Sequence, residues 1–185
     1  MTVVQPAKNH YPTPPEATRA LLSVERFSGC IWEPCAGTGA MSDVLLDAGY
    51  DVYATTLEMG TGKIFGNKDF LLAKSMPAQN IVTNPPFNIA EEIIRHALSF
   101  RPVKTAMLLN IKFLASVGRA RGLWMEFPPS RVWVLADRVT MYPADWEGPK
   151  NSTTETHAWF VWDASHIGVP SIGWLVAGDH KDATA

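Results

Sequence analysis

Short apolar segments of strand length alternate with amphipathic segments of helical spacing along most of this chain. This alternation limits the fold more than any other feature, because each period predicts a different element. Strands are predicted at residues 30–34, 51–56, 80–84, 103–109, 131–136 and 157–163. Helices are predicted at residues 16–27, 40–48, 89–100 and 114–127.

Strands that alternate with helices favour an α/β sheet, mainly parallel and covered by helices on both faces. The last two predicted strands follow each other without a helix between them, across a polar loop at 143–156. This connection predicts an antiparallel strand at the edge of the sheet.

Composition bounds the class of protein. The 185 residues fit a single domain spanning 1–185. Apolar residues make up 46% and charged residues 18%, which is enough for a packed core. The net charge of −2 excludes a protein that holds nucleic acid by bulk charge, so any such binding needs a local patch. With neither a spanning apolar run nor a signal-peptide core, we expect a soluble, cytoplasmic protein.

The cysteines and histidines give no metal pattern. Cys30 and Cys35 are five positions apart, which suits neither a disulfide nor a ligand pair, and we expect two buried thiols. The five histidines are isolated along the chain. We therefore expect no metal.

A glycine-rich turn follows the first predicted strand. It reads Glu33-Pro34-Cys35-Ala36-Gly37-Thr38-Gly39. Its glycines let the backbone approach a ligand, and the following helix begins with free N–H groups. On glycine alone, an ordinary tight turn is as good an interpretation. The acidic Glu33 favours a cofactor with an amino group, such as S-adenosyl-L-methionine (SAM), over a pyrophosphate, which a carboxylate would repel.

A second motif, Asn84-Pro85-Pro86-Phe87, follows a later predicted strand. A strand-ending turn is the alternative interpretation. Oxygens of Asn84 and Pro85 can accept hydrogen bonds from an exocyclic base amine, which localises its lone pair for methyl transfer. Phe87 can stack on a base removed from its helix. Both motifs end strands of one sheet, so they predict one crevice at its carboxyl edge.

At these residues the sequence resembles the class I SAM-dependent methyltransferases, and more narrowly the adenine-N6 DNA methyltransferases. The order of the motifs resembles the gamma arrangement, and residues 157–163 resemble small phage-encoded members. The resemblance implies a Rossmann-like fold with a mostly parallel seven-stranded sheet and an antiparallel edge strand. It implies SAM as cofactor and DNA as partner.

The resemblance also implies roles for single residues. The catalytic tetrapeptide matches Asn84, Pro85, Pro86 and Phe87. The residues implied to bind the cofactor are Tyr11, Thr13, Pro14, Glu33, Pro34, Cys35, Ala36, Gly37, Gly39, Thr56, Asp69, Phe70 and Asn84. Asp69 and Phe70 match a pair that contacts the cofactor's adenine ring. Thr56 is a departure, because family members usually place an acid there for the ribose, and Glu58 follows two residues later.

Basic residues near the predicted crevice are candidates for substrate binding. With Phe87 and Asn151, we assign this role to Lys112, Arg119, Arg121 and Lys150. Lys8 and Arg138 are further basic candidates. A solvated charged face is an equally good interpretation of this set.

The sequence therefore predicts an enzyme that flips adenine in DNA and methylates N6 directly. An RNA base amine (adenine N6 or guanine N2) or a protein glutamine is an alternative acceptor. A non-catalytic SAM-binding or nucleic-acid-binding module is an alternative of another class, which Thr56 favours. Since the fold uses most of residues 11–163, loops 56–68 and 142–156 are left to recognise a target. We expect a short or relaxed target, or a separate specificity chain.

Overall fold

The computed structural model describes residues 11–57, 66, 68–137, 139–142, 147 and 154–181. Its strands are β1 (Ile31–Glu33), β2 (Val52–Ala54), β3 (Asn80–Thr83), β4 (Lys104–Asn110), β5 (Arg131–Leu135), β6 (His157–Asp163) and β7 (Ser171–Leu175). Its α-helices are α1 (Pro15–Val24), α2 (Ala40–Asp47), α3 (Ala90–Ser99), α4 (Val117–Arg121) and α5 (Leu123–Glu126). Short 3₁₀ helices cover Phe70–Leu72, Phe87–Ile89, Ile111–Leu114 and Ala177–His180.

The seven strands form one sheet in the order β2-β1-β3-β4-β6-β5-β7. Strand β6 pairs antiparallel with both β4 and β5, and the other pairs are parallel. The mostly parallel α/β fold is confirmed. The prediction that the antiparallel strand lies at the edge of the sheet is wrong, because β6 lies inside the sheet and the edge strands are β2 and β7.

Side chains of β6 show that both faces of the sheet are covered. Trp159 and Val161 join the core that packs against α1 and α2, whereas Phe160 and Trp162 join the core under α3 and α5. Six of its seven residues are therefore buried. This continuous burial explains why the sequence shows an apolar run rather than an alternation.

Two elements differ from the sequence prediction. The helix expected at 114–127 is a 3₁₀ turn followed by two short helices that meet at Gly122, whose φ of −118° and ψ of −92° are not helical. Strand β7 was not expected. It turns Ile172 and Trp174 to solvent and holds Gly173 against the Trp133 ring, so its outward residues are the apolar ones.

Among the described residues, no helix has the length and hydropathy needed to cross a membrane.

Candidate active site

The two sequence motifs leave the same edge of the sheet side by side. Strand β1 ends at Glu33 and its parallel neighbour β3 ends at Thr83, with Trp32 opposite Ile81. Since parallel neighbours end at the same edge, the glycine turn and the Asn84–Phe87 segment face one crevice.

The glycine turn is held in a conformation that needs its glycines. Gly37 and Gly39 have φ of 54° and 87°, in the left-handed region. Ala36 N–H donates to the Thr55 carbonyl at 2.9 Å, which fixes the turn to the exit of β2. Gly39 is the N-cap of α2, and its N–H donates to the Ala36 carbonyl at 2.7 Å, which closes the turn at the start of the helix.

Glu33 lies beneath the turn, 2% exposed. Its carboxylate accepts hydrogen bonds from the Ser42 hydroxyl and from the Ser42 backbone in the first turn of α2. Burial, with a smaller contribution from the charge of Asp43, raises the pKa of Glu33 to about 7 even though the Ser42 hydrogen bonds lower it. Glu33 is therefore a buried acceptor that titrates near neutral pH.

Cys35 connects the turn to β3. Its thiol lies beside the side chain of Thr83, the last residue of β3, whose buried hydroxyl has no hydrogen-bond partner among the described residues. Burial raises the pKa of Cys35 to about 12, and the charges of Glu33 and Asp69 add to this effect. The thiol is protonated at neutral pH and is no nucleophile. Cys30 and Cys35 are both free, and both are partly exposed rather than fully buried.

Asn84 is oriented by residues from distant parts of the chain. Its amide Nδ2 donates to Thr13 Oγ1 at 3.1 Å and to Met141 Sδ at 3.3 Å. Thr13 is 5% exposed, in the segment before α1. Because both contacts use the amide nitrogen, the Oδ1 oxygen is left as the acceptor that an incoming amine can reach. The leading segment thus meets the Asn84–Phe87 segment, with Tyr11 exposed and Pro14 half-buried beside it.

Phe87 presents an aromatic ring at the mouth of the crevice. Pro85 is buried and Pro86 is exposed, and Phe87 begins the 3₁₀ turn that follows them. The ring is 49% exposed. Its centroid lies 5.8 Å from that of His157 with an interplanar angle of 28°, which is a stacked pair.

Asp69 and Phe70 are placed differently from each other. Asp69 caps the Phe70–Leu72 turn, where its Oδ1 accepts from Leu71 N–H at 2.9 Å. Phe70 is 4% exposed and makes edge contacts with Trp32 and His96, each at 5.0 Å between ring centroids. Phe70 therefore belongs to the core in this structure, whereas the sequence resemblance implies a cofactor contact.

Thr56 lies at the exit of β2 and is 4% exposed. Its backbone carbonyl accepts from Lys68 N–H at 2.8 Å. The neighbouring Thr55 accepts a hydrogen bond from Trp32 Nε1 at 2.9 Å, so this strand end is tied to β1. Glu58 lies outside the described residues.

The basic candidates are already engaged to different degrees. Lys112 is paired with Glu155 at 2.9 Å, with 74% of its side chain exposed. Arg119 donates from Nε to the Phe113 carbonyl at 2.7 Å and lies 4.1 Å from the Phe113 ring centroid. Arg121 is exposed at the end of α4. Lys8, Arg138, Lys150 and Asn151 lie outside the described residues.

His157 and Met141 were not assigned to the site by sequence reasoning. His157 is the first residue of β6, and the antiparallel direction of this strand brings its start to the carboxyl edge of its neighbours. The sequence signal that could have identified it is the position of a polar residue at the start of an otherwise apolar strand. Met141 follows β5 in a loop and has no comparable signal.

The described residues hold no group of three or more His, Cys, Asp or Glu side chains that could bind a metal ion.

The fold is that of SAM-dependent methyltransferases. The chain is similar to a dimethyladenosine transferase from Plasmodium falciparum, with a TM-score of 0.57 and 14% identity. The match covers 82% of this chain and 62% of the transferase chain, so this chain spans less than two thirds of that protein's length. A SAM-dependent O-methyltransferase from Thermotoga maritima has a TM-score of 0.50 and 14% identity over 88% of this chain and 68% of its own. No family model and no curated protein matches the sequence.

Proposed function

We propose that this chain binds SAM at the glycine turn and transfers its methyl group to the N6 amine of a flipped adenine in DNA. The residues present fit the cofactor. Glu33 is a buried acceptor suited to an ammonium group, and the left-handed Gly37 and Gly39 let the backbone of the turn approach the cofactor. Bound SAM would supply a methyl group on a sulfonium, so no acid is needed to expel the leaving group.

The orientation of Asn84 is the observation that carries the proposal. Contacts with Thr13 and Met141 hold its amide nitrogen, so Oδ1 is a fixed acceptor. A fixed acceptor stabilises the positive charge that develops on an amine during methyl transfer without reorganising in the transition state. Pro85 fixes the backbone beside it, and its carbonyl is the second proposed acceptor.

Phe87 supplies the second requirement, a surface for the base. An adenine inside a duplex cannot reach Asn84, so it must flip out of the base stack and stack on an aromatic side chain of the protein instead. The half-exposed ring of Phe87 follows Asn84 by three positions and offers that surface. The name of the Plasmodium falciparum protein, a dimethyladenosine transferase, supports adenosine chemistry on this fold.

Mass analysis of nucleosides tests the proposal. DNA and RNA are incubated separately with the protein and SAM, and N6-methyladenine above background in DNA is the expected result. Methylation in RNA alone or on guanine would redirect the proposal to that acceptor, and a glutamine-containing peptide incubated in parallel tests the protein acceptor. Asn84→Ala is the matched variant, and we expect it to abolish transfer while sparing cofactor binding.

A non-catalytic module is the competing class of function, favoured by Thr56 at the position where an acid usually binds the ribose. Calorimetry with S-adenosylhomocysteine separates the two classes. Measurable binding together with loss of transfer in Asn84→Ala supports the enzyme. Binding without transfer to any acceptor supports the module.

We also propose that residues 1–185 act as one catalytic domain with a short target sequence or with a partner chain that supplies specificity. Digest mapping of methylated DNA tests this. A long, strict target for the isolated chain would contradict it.

A further inference from the structure

The exposed ring of Phe87 rests on a buried histidine. The two ring centroids are 5.8 Å apart and the planes differ by 28°. His157 is 5% exposed, whereas Phe87 is 49% exposed. A stack covers one face of each ring, so the open area of Phe87 includes the face turned away from His157.

His157 is a rigid support because the sheet fixes its backbone. As the first residue of β6 it pairs with Asn110, the last residue of β4. Asn110 and Lys112 both donate to the carboxylate of Glu155, two residues before His157. The segment that leads into β6 is therefore tied to the end of β4.

The imidazole is uncharged at neutral pH. Burial lowers the pKa of His157, against the charge of Glu155 and a hydrogen bond to the Val139 backbone, both of which favour protonation. Among the described residues the buried Nδ1 atom has no hydrogen-bond partner, so no acceptor there would stabilise a second proton on the ring. The pair is a stack of two neutral rings.

We propose that His157 is a positioning residue, which holds the Phe87 ring at the angle where the flipped adenine stacks and so builds a column of base, Phe87 and His157. This inference rests on the proposed function. The Phe87 ring is 49% exposed at the start of a 3₁₀ turn, and its stack on His157 packs a buried ring against it. Fixing the ring before the base arrives removes an ordering cost from the reaction.

The test uses single-stranded oligo(dA) carrying 2-aminopurine, which makes adenine accessible without a recognition sequence. His157→Leu removes the flat ring and keeps an apolar side chain, and His157→Phe restores a flat ring. We expect the change in 2-aminopurine emission on binding to be lost in His157→Leu and kept in His157→Phe, with Phe87→Ala as the reference for a missing surface.

Kinetics give the second readout. For oligo(dA), kcat/KM is expected to fall about tenfold in His157→Leu, which is the scale of one aromatic pair. The KM for SAM stays unchanged, and His157→Phe recovers the rate. Melting temperature and S-adenosylhomocysteine affinity of the Leu variant show whether its fold is intact.

The outcomes separate this inference from the proposed function. The inference is overturned if His157→Leu gives the same emission change and the same kcat/KM as the wild type. It is also overturned if His157→Phe loses as much of both as His157→Leu does. A wild type that gives no emission change also overturns it. If the wild type transfers no methyl group yet its emission change depends on the ring at 157, the proposed activity fails and the positioning role stands.

Discussion

A single threonine orients the amide on which the proposed chemistry depends. The Thr13 hydroxyl accepts from Asn84 Nδ2 at 3.1 Å across 71 positions of sequence. Both residues are visible in sequence motifs, but the resemblance implies a cofactor role for Thr13 and does not indicate this contact. Free rotation of the amide would exchange its acceptor for a donor, which repels an amine.

Replacing Thr13 tests this orientation. We expect Thr13→Val to lower kcat about ten- to hundredfold, because the reacting groups lose their alignment. Thr13→Ser keeps the hydroxyl and should keep the rate. Steady-state kinetics with saturating SAM measure the effect, and an unchanged kcat in Thr13→Val would show that Met141 alone orients Asn84.

Glu33 makes stability depend on pH. Its pKa is about 7 in the folded protein against an ordinary 4.5, so the folded state binds more protons than the unfolded state between these values. Stability therefore falls as pH rises from about 4.5 to 7. Glu33→Gln removes this cost, and we expect it to raise the free energy of unfolding at pH 8 by about 2–3 kcal/mol.

Urea unfolding at pH 5 and pH 8 measures this gain, which should be largest at the higher pH. Asp47→Asn is the control, because it removes an exposed carboxylate from the last turn of the same helix. A Glu33→Gln variant that is less stable than the wild type at pH 8 would mean that the Ser42 hydrogen bonds outweigh burial. The same variant should bind S-adenosylhomocysteine more weakly if Glu33 accepts its ammonium group.

The part of the site that depends on local sequence was predictable, and the part that depends on the sheet was not. Asn84 and Glu33 end strands that the apolar pattern marks directly. His157 was missed because its position at the crevice requires β6 to run antiparallel between β4 and β5. Phe70 was assigned to the cofactor site, whereas in this structure it is buried in the core among Trp32, His96 and Phe100, with edge-to-face or tilted ring contacts.

At the scale of elements, a buried ion cluster joins α1 to the sheet at the edge opposite the crevice. Glu25, 3% exposed, accepts from Arg131 at 2.6 Å, Lys104 at 2.7 Å and Trp133 Nε1 at 3.0 Å. Arg131 also pairs with Asp163 at 2.6 Å. Burial opposes the charge of Glu25, but these hydrogen bonds keep its pKa below the ordinary value.

Glu25→Gln should destabilise the fold by about 2–3 kcal/mol at pH 7, because buried charged partners lose hydrogen bonds. Since the folded pKa is lowered, the carboxylate's contribution is present above the unfolded pKa and is lost as pH falls through the folded value. The difference from the wild type should therefore shrink below about pH 4. Urea unfolding measures it, and Glu91→Gln, which loses an exposed pair with Arg95, is the control.

Strand β7 depends on a glycine. A Cβ at Gly173 would lie 2.2 Å from Cζ3 of Trp133, and that ring is held by its hydrogen bond to Glu25. We expect Gly173→Ala to cost about 1–3 kcal/mol, the usual cost of overpacking. Gly118→Ala is the matched control, since its nearest neighbour is Ser116 Oγ at 3.7 Å. Equal melting temperatures for the two variants would contradict this packing.

The elements themselves were predicted where the apolar runs are continuous. Strand β7 was missed because Ile172 and Trp174 face solvent, which reverses the pattern that burial usually leaves. The helix at 114–127 was predicted too long because apolar spacing continues through Gly122, where the backbone leaves the helical region. The non-helical backbone at Gly122 therefore ends the first helix, although the apolar spacing predicts that the helix continues.

At the scale of the whole molecule, charge limits how the chain can hold DNA. The net charge is −2, so attraction must come from the residues near the crevice. Glu155 already neutralises Lys112, and Arg119 is bound to the Phe113 carbonyl. Arg121 is exposed at the end of α4, which follows β4 along the chain. Among the basic candidates that the structure describes, it is the best placed to meet a phosphate.

We therefore expect DNA affinity to depend weakly on salt. Even if Lys112 and Arg119 left their present partners and joined Arg121 on phosphates, the slope of log K against log[salt] would reach only about −3 for duplex DNA. Arg121→Gln should make the slope shallower by about one unit. Arg101→Gln, an exposed arginine before the amino end of β4, makes the same charge change at the opposite edge and should leave the slope unchanged. Fluorescence anisotropy across a salt series measures both variants, and equal slopes for both would place the DNA elsewhere on the surface.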